Sequence, residues 1–212
     1  KAYRRHPGSL YRVFIRLGYR RKAESTKKKS KHNGHYDTPK ELGKKWQMDV
    51  KYVPSACYAG EDGEKFYQYT MLEEASRKRF IYAYRETGGY STCDFVKRAI
   101  IWFGYAPDII QTDNGGEFTH TKKTKRIHPF DSLCAELHIT HKLIRPRTPW
   151  HNGKVERSHR NDQERFYNHL SFYSYEDLQI QMKRYLYRSN NIPMAVLGWK
   201  SPNQKQREME TA

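Results

Sequence analysis

Trp46-Gln-Met-Asp49-Val-Lys-Tyr-Val53 is the stretch on which the reading of this chain turns. Apolar and polar residues alternate, so Trp46, Met48, Val50 and Tyr52 share one face of a strand and Asp49 interrupts the other. Downstream, residues 65–72 and 79–84 are two more strands rich in aromatic residues, with residues 59–63 as a hairpin after the first strand. The period then changes. Phe95, Val96, Ala99, Ile100 and Phe103 make a helical stripe, with Ser91 or Thr92 as its cap and Gly104 as its stop. Asp108-Ile-Ile-Gln-Thr112 reads as a short buried strand running into Asp113-Asn-Gly-Gly116. A helix near 129–137, a strand at 139–144, a Pro-containing loop at 145–151 and helices at 152–169 and 175–187 complete the order β-β-β-α-β-α-β-α-α. That order predicts an α/β fold, a mixed five-stranded sheet flanked by helices on both faces.

Upstream of the first strand the composition shifts. Residues 1–44 carry 14 basic and 3 acidic side chains, against 26 and 20 in residues 45–212, within a net charge of +17 over 212 residues. Residues 9–22 predict a short helix capped by Ser9 and stopped by Gly18, with Leu10, Phe14 and Leu17 on one face. One such helix cannot bury its own face, so residues 1–22 are expected to be the remnant of an upstream DNA-binding module. Residues 23–44, with Lys27-Lys28-Lys29, read as a basic linker, 45–205 as the core domain and 206–212 as a polar tail. A basic extension on a mildly basic domain points to a polyanionic partner, nucleic acid first. No apolar run reaches the ~20 residues of a membrane span, and no secretory signal is expected. Cys57, Cys93 and Cys134 are too few and too far apart for a disulfide framework, which fits a reduced, cytoplasmic setting. Cys134, His138 and His141 run from a helix into a strand without a fourth ligand and do not make a zinc site.

Three carboxylates stand at informative places. Asp49 breaks the first strand, Asp113 follows the fourth, and Glu156 lies in the first turns of a helix opening after Pro149-Trp-His-Asn-Gly153. If the fourth strand returns beside the first, Asp49 and Asp113 become neighbours, and packing of the 152–169 helix on that edge adds Glu156. Such carboxylates repel one another unless a cation sits between them. Oxygen-only ligands suit Mg²⁺ or Mn²⁺, and two such ions can serve both the attacking and the leaving oxygen of a phosphoryl displacement.

Three blocks, Trp46–Tyr52, Gln111-Thr-Asp113-Asn-Gly-Gly-Glu-Phe118 and Pro149-Trp-His-Asn-Gly-Lys-Val-Glu156-Arg-Ser-His-Arg160, resemble the signature blocks of the DDE transposases and retroviral-type integrases, bacterial insertion-sequence transposases above all. Residues 69–77 and 197–202 are similar as well, so the resemblance covers about residues 40–205. It implies a ribonuclease-H-like fold and a two-metal site, Mg²⁺ or Mn²⁺, on Asp49, Asp113 and Glu156. It also implies hydrolysis at transposon ends followed by attack of the freed 3′-hydroxyl on target DNA, by homo-oligomers on double-stranded DNA in the bacterial cytoplasm and nucleoid. Against the family pattern, 42 residues separate Asp113 from Glu156 where 35 is commonest, Ile192 stands where relatives often have Arg, and no His-His-Cys-Cys module is present. The alternatives are a catalytically silent DNA-binding relative and a ribonuclease-H-like nuclease without strand transfer.

Asn152, Glu156, His159, Arg160 and Gln163 fall on one stripe of the 152–169 helix, which the resemblance turns toward terminal DNA. Lys142, Arg145, Arg147, Trp150 and Lys154 are expected to form a basic approach to it, and Lys27, Lys28 and Lys29 to track phosphates. Glu117 is either an outer partner of the acidic site or a rim residue.

Overall fold

The computed structural model describes residues 7–19, 38–60, 63–145 and 149–211. Two units are distinguished, 1–35 and 36–212. Within the first, α1 spans Pro7–Arg16, and Gly18 takes the left-handed conformation (φ 78°) that lets Tyr19 N–H reach back to Phe14 O at 2.9 Å. Leu10, Phe14 and Leu17 on it are all exposed.

In the second unit the strands are β1 (Trp46–Tyr52), β2 (Tyr67–Glu73), β3 (Arg79–Tyr84), β4 (Ile109–Thr112) and β5 (Thr140–Leu143). The helices are α2 (Gly89–Phe103), α3 (Pro129–Glu136), α4 (Gly153–Arg165), α5 (Tyr175–Asn190) and α6 (Pro202–Glu210). Sheet order is β3-β2-β1-β4-β5, antiparallel across the first three strands and parallel from β1 through β4 to β5. The mixed sheet flanked by helices follows the element order expected from sequence.

The alternation in β1 divides the sheet into two unlike faces. Trp46 and Met48 are wholly buried on the aromatic face, where Trp46 meets Phe103 of α2 at 4.4 Å between ring centroids. Phe95 of α2 lies 5.3 Å from Tyr69 and 5.5 Å from Phe80. Burying rings of this size supplies most of the drive for docking α2. Gly104 ends that helix at φ 83°, as its position suggested. The opposite face of the sheet carries Gln47, Asp49 and Lys51 from β1 with Gln68 and Thr70 from β2, and it receives α4.

Edge strand β3 is covered by α5. Asn190 accepts from Arg79 N–H at 3.1 Å and donates to Arg79 O at 2.9 Å, while the Tyr175 hydroxyl and Gln179 amide both reach Ala83 O at 2.8 Å. These bonds occupy ladder groups that an open edge would offer to another strand.

The sequence boundaries need two corrections. The linker was expected to run to residue 44, yet Gly43 O accepts from Asp108 N–H at 2.7 Å and its backbone lies against the Tyr105 ring. A polar tail was expected from residue 206, yet α6 runs to Glu210 with Gln206 buried. Its start carries a capping box, Ser201 accepting from Gln204 N–H while the Gln204 side chain accepts from Ser201 N–H.

Candidate active site

Parallel pairing of β1 with β4 sets Trp46 beside Ile110 and Gln47 beside Gln111. Two residues further along each chain stand Asp49, midway along β1, and Asp113, just past the carboxyl end of β4. In open α/β sheets the carboxyl ends of strands are where sites form. Each aspartate has one oxygen fixed locally. Asp49 Oδ1 accepts from Val50 N–H and Asp113 Oδ1 from Gly115 N–H, both at 2.9 Å.

Glu156 is delivered by α4, and two glutamines set where that helix begins. The side chain of Gln47 donates to His151 O at 3.0 Å and accepts from Val155 N–H at 3.1 Å. That of Gln111 donates to the same His151 O at 2.7 Å. Both glutamines are buried, and each stands two residues before an aspartate of the pair, hence on the same strand face. Gln47 also donates to Glu74 at 2.9 Å, and the fully buried Glu74 carboxylate is flanked by Lys45 at 3.4 Å and by Lys154. The rows then continue in step. Asp49 meets His159 and Lys51 meets Gln163, so successive same-face positions of β1 face α4 residues four apart. Two strand residues advance ~6.7 Å and four helical residues ~6 Å, which is why the pairing holds over two steps.

The carboxylates share one electrostatic field. Burial pushes the Asp49 carboxyl up to about 7, and the neighbouring charges of Asp113, Glu156 and Glu117 push the same way. Glu156 is raised by burial and then by Asp113, with Arg160 opposing. Glu117 is raised by burial and by Asp113, so it belongs to the same acidic group. Among the described residues, no three His, Cys, Asp or Glu side chains already surround one point as a metal cage would. The donor set nevertheless fits a hard divalent cation: oxygen ligands, at least one short of counter-charge, each held from a different element.

Behind Asp49 lies a buried polar chain. His159 Nδ1 stands 3.4 Å from Asp49 Oδ2 and its Nε2 lies 3.0 Å from Thr70 Oγ1. The Gln68 amide nitrogen donates to Thr70 Oγ1 at 2.9 Å and to Asp162 Oδ2 at 2.8 Å. Asp162 Oδ1 meets Arg79 at 2.6 Å and the Tyr185 hydroxyl at 2.9 Å. Burial pushes the His159 imidazole down to about 4, so it is neutral. A neutral imidazole donates from one nitrogen and accepts at the other, so the tautomer with Nδ1–H toward Asp49 takes the Thr70 hydroxyl proton on Nε2. Burial alone would raise Asp162, but Arg79 and the Gln68 amide outweigh it and hold the carboxyl below its usual range.

Several residues expected to face DNA, on the stripe or in the basic approach, are turned inward. Asn152 is buried, its amide donating to Met48 O at 3.3 Å. His159 serves Asp49 and Thr70, and Lys154 is held by Glu74 and by Thr38 at 3.0 Å. Burial lowers Lys154 to about 8, against the attraction of Glu74. The misplacement has one cause: α4 packs on a polar sheet face, so polarity does not mark its solvent side. Gln163 is half-buried, bonded to Lys51 at 3.1 Å and Asn168 at 3.0 Å. Glu156, Arg160, Lys142 and Arg145 are exposed. Lys27, Lys28, Lys29, Arg147 and the side chain of Trp150 lie outside the described residues. His141 is engaged through both ring nitrogens, Nδ1 with Asp131 at 2.6 Å and Nε2 with Thr112 at 2.9 Å, which leaves neither for a zinc ion. Sequence reasoning missed the glutamine clamp, although Gln-x-Asp recurs in both strands.

Comparison with known proteins gives the family and the fold. Two family models described as integrase core domain match residues 39–149 and 137–202. A protein of Spiroplasma virus SpV1-C74 named "Putative integrase ORF3" is 30% identical over 173 residues, 76% of this chain, and the chain spans 46% of that protein's length. Among solved structures, a simian T-cell lymphotropic virus intasome in complex with a PP2A regulatory subunit contains a similar chain (TM-score 0.60, 18% identity, 81% of this chain and 56% of that one). The HTLV-2 integrase catalytic core domain in complex with magnesium is similar too (TM-score 0.56, 18% identity, 77% and 96%). The fold is therefore ribonuclease-H-like, and by its sequence match the chain belongs to the integrase core domain family.

Proposed function

We propose that this chain is the catalytic core of a DNA transposase that cleaves transposon ends and joins their 3′-hydroxyl groups to target DNA. The observation that supports the reading is the β1–β4 pairing of Gln47 with Gln111, each two residues before an aspartate, with both side chains bonded to His151 O ahead of the helix that carries Glu156. Asp49, Asp113 and Glu156 would hold two Mg²⁺ or Mn²⁺ ions. When bound, these supply activation of the attacking oxygen and charge stabilisation of the leaving oxygen. The chain's own contribution is positioning. The two strands fix the aspartates, α4 brings the glutamate, and the His159 chain holds Asp49 from behind. Because no side-chain nucleophile with an adjacent base is needed, water attacks the phosphodiester in cleavage and the DNA 3′-hydroxyl attacks in joining. Lys142, Arg145, Arg147, Trp150 and Arg160 would meet the DNA near the site, and Lys27–Lys29 its backbone. Gln163, Asn152, Lys154 and His159 would support α4 instead.

The retroviral relatives are described as an intasome and in dimeric and trimeric forms, which supports homo-oligomers on double-stranded DNA. Among the described residues no helix is long and apolar enough to cross a membrane. The test is incubation of the protein with supercoiled plasmid and with duplexes ending in the element's terminal sequence, in Mg²⁺ or Mn²⁺. Nicked plasmid and strand-joined product are expected. Cleavage of RNA–DNA hybrids without joining would replace the reading with a plain nuclease.

A further inference from the structure

A second face of α4 borders a cavity of about 590 Å³ that opens between this helix and residues 192–202. Its lining includes Arg77, Arg157, Arg165 and Trp199 and, among the described residues, no acidic side chain. Arg79 and Lys154 also reach it, but Asp162 and Glu74 already match their charge. Arg157 and Arg165 are exposed and make no ion pair among the described residues. They lie eight residues apart on one helix face, about 12 Å along the axis.

Trp199 is the second, independent observation. Leu197-Gly-Trp-Lys200 makes a tight turn with both central residues left-handed, Gly198 at φ 63° and Trp199 at φ 65°. The turn is closed by Met194 N–H to Lys200 O and Trp199 N–H to Met194 O, each at 3.0 Å. Such a turn favours Asn or Gly at its centre, and a side chain with a Cβ costs about 1–2 kcal/mol there. The indole is 74% exposed, so packing does not compensate. Backbone preference and burial both disfavour tryptophan at this position, and residues held in such conformations cluster at ligand sites.

We propose that this cavity is a subsite for an unpaired DNA strand, with backbone phosphates on Arg157 and Arg165 and one base stacked on Trp199. Guanidinium groups bind phosphate oxygens with charge-assisted bonds, and an exposed indole stacks on any base. An acidic peptide would satisfy the arginines and leave the ring unused. Arg157 directly follows Glu156, so the subsite begins at the helical turn that carries the proposed reacting carboxylate. This assignment rests on the transposase reading and extends it to the path of one strand beyond the site.

The test measures binding of the whole chain to labelled duplexes, blunt or carrying a four-nucleotide single-stranded extension, across a salt series. Trp199→Ala should weaken binding of the extended duplex roughly five- to a hundred-fold and leave the blunt duplex unchanged, with Trp199→Phe restoring most of the loss. The double variant Arg157→Ala/Arg165→Ala should reduce the salt slope for the extended duplex by about 1.4, two phosphate contacts on a single strand. All three positions are exposed, so folding is preserved, and circular dichroism verifies it. Wild-type affinity and slope in these variants would overturn the subsite, as would equal competition by a poly-glutamate peptide. The transposase reading is judged separately, by nicking. A wild-type protein that binds and discriminates the extension but never nicks sinks only that reading, and one that binds no DNA sinks both.

Discussion

Replacing Gln47 with leucine tests how the fold holds the site together. The substitution keeps the volume and removes every polar contact of a wholly buried amide. Three of its described partners are affected differently. Val155 N–H, in the first turn of α4, loses its acceptor and is left buried, which costs about 1–3 kcal/mol. Glu74 loses one donor and keeps Lys45 and Lys154, a loss of about 1 kcal/mol. His151 O keeps the Gln111 amide and loses little. Together these give about 2–4 kcal/mol, or roughly 4–16 °C in melting temperature for a domain of this size. The functional consequence exceeds the loss of stability, because α4 then begins without its tie to β1 and Glu156 shifts with it. A displacement of about 1 Å at a reacting centre costs on the order of a hundredfold in rate. Chemical denaturation gives the first quantity. Single-turnover plasmid nicking at a temperature where the variant remains folded gives the second, with DNA binding by anisotropy expected to stay within about twofold. A variant as stable as the parent to within 0.5 kcal/mol, about the noise of a neutral surface change, and equally fast in nicking would refute the clamp.

Other consequences can be checked with the same methods. The Asp49 carboxyl, raised to about 7 by burial and by its acidic neighbours, keeps its proton in the folded chain while the unfolded chain loses it near 4. The folded state therefore binds more protons between these values, and without divalent metal stability falls as pH rises from about 4 to 7, by at most ~1.4 kcal/mol per unit from this group. Asp49→Asn should flatten that part of the profile in denaturation experiments, and a profile unchanged by the substitution would count against the shared field. Asp162→Asn leaves Arg79 buried without its counter-charge and should destabilise the domain by about 3–5 kcal/mol in the same assay. Asn190→Ala uncovers Arg79 N–H and C=O on the β3 edge and should cost about 1–3 kcal/mol, with an increase in concentration-dependent association measured by light scattering.

Much of the architecture was legible because the periods are clean. The two-residue alternation of Trp46–Tyr52 separated the aromatic face from the face of Asp49, and the stripe Phe95–Phe103 with Gly104 marked α2 and its end. Glu156 near the start of a helix was also readable. What failed on α4 failed for a physical reason. Pattern reading assumes that polar residues face solvent, but this helix packs on Gln47, Asp49, Lys51, Gln68 and Thr70, so Asn152, Lys154 and His159 are polar and internal at once. The clamp was present in the sequence as Gln-x-Asp in β1 and again at β4. Its meaning required knowing that the two strands are parallel neighbours and that one carbonyl, His151 O, lies between them. Helix α6 was missed although Ser201-Pro-Asn-Gln204 carries both a capping box and a first-turn proline, because its polar composition was read as a tail. Trp199 was noted only as part of a resemblance, since an unfavourable backbone angle leaves no trace in composition.

The central claim is that Asp49, Asp113 and Glu156 act as one cation-binding group. Titration of the metal-free protein with Mn²⁺ above pH 7.5, followed by the loss of free-ion electron paramagnetic resonance signal, tests it directly. The account predicts saturable uptake by the parent chain, strongly weakened in Asp49→Asn, Asp113→Asn and Glu156→Gln alike, with each variant still folded. Uptake by the three variants equal to that of the parent would contradict it.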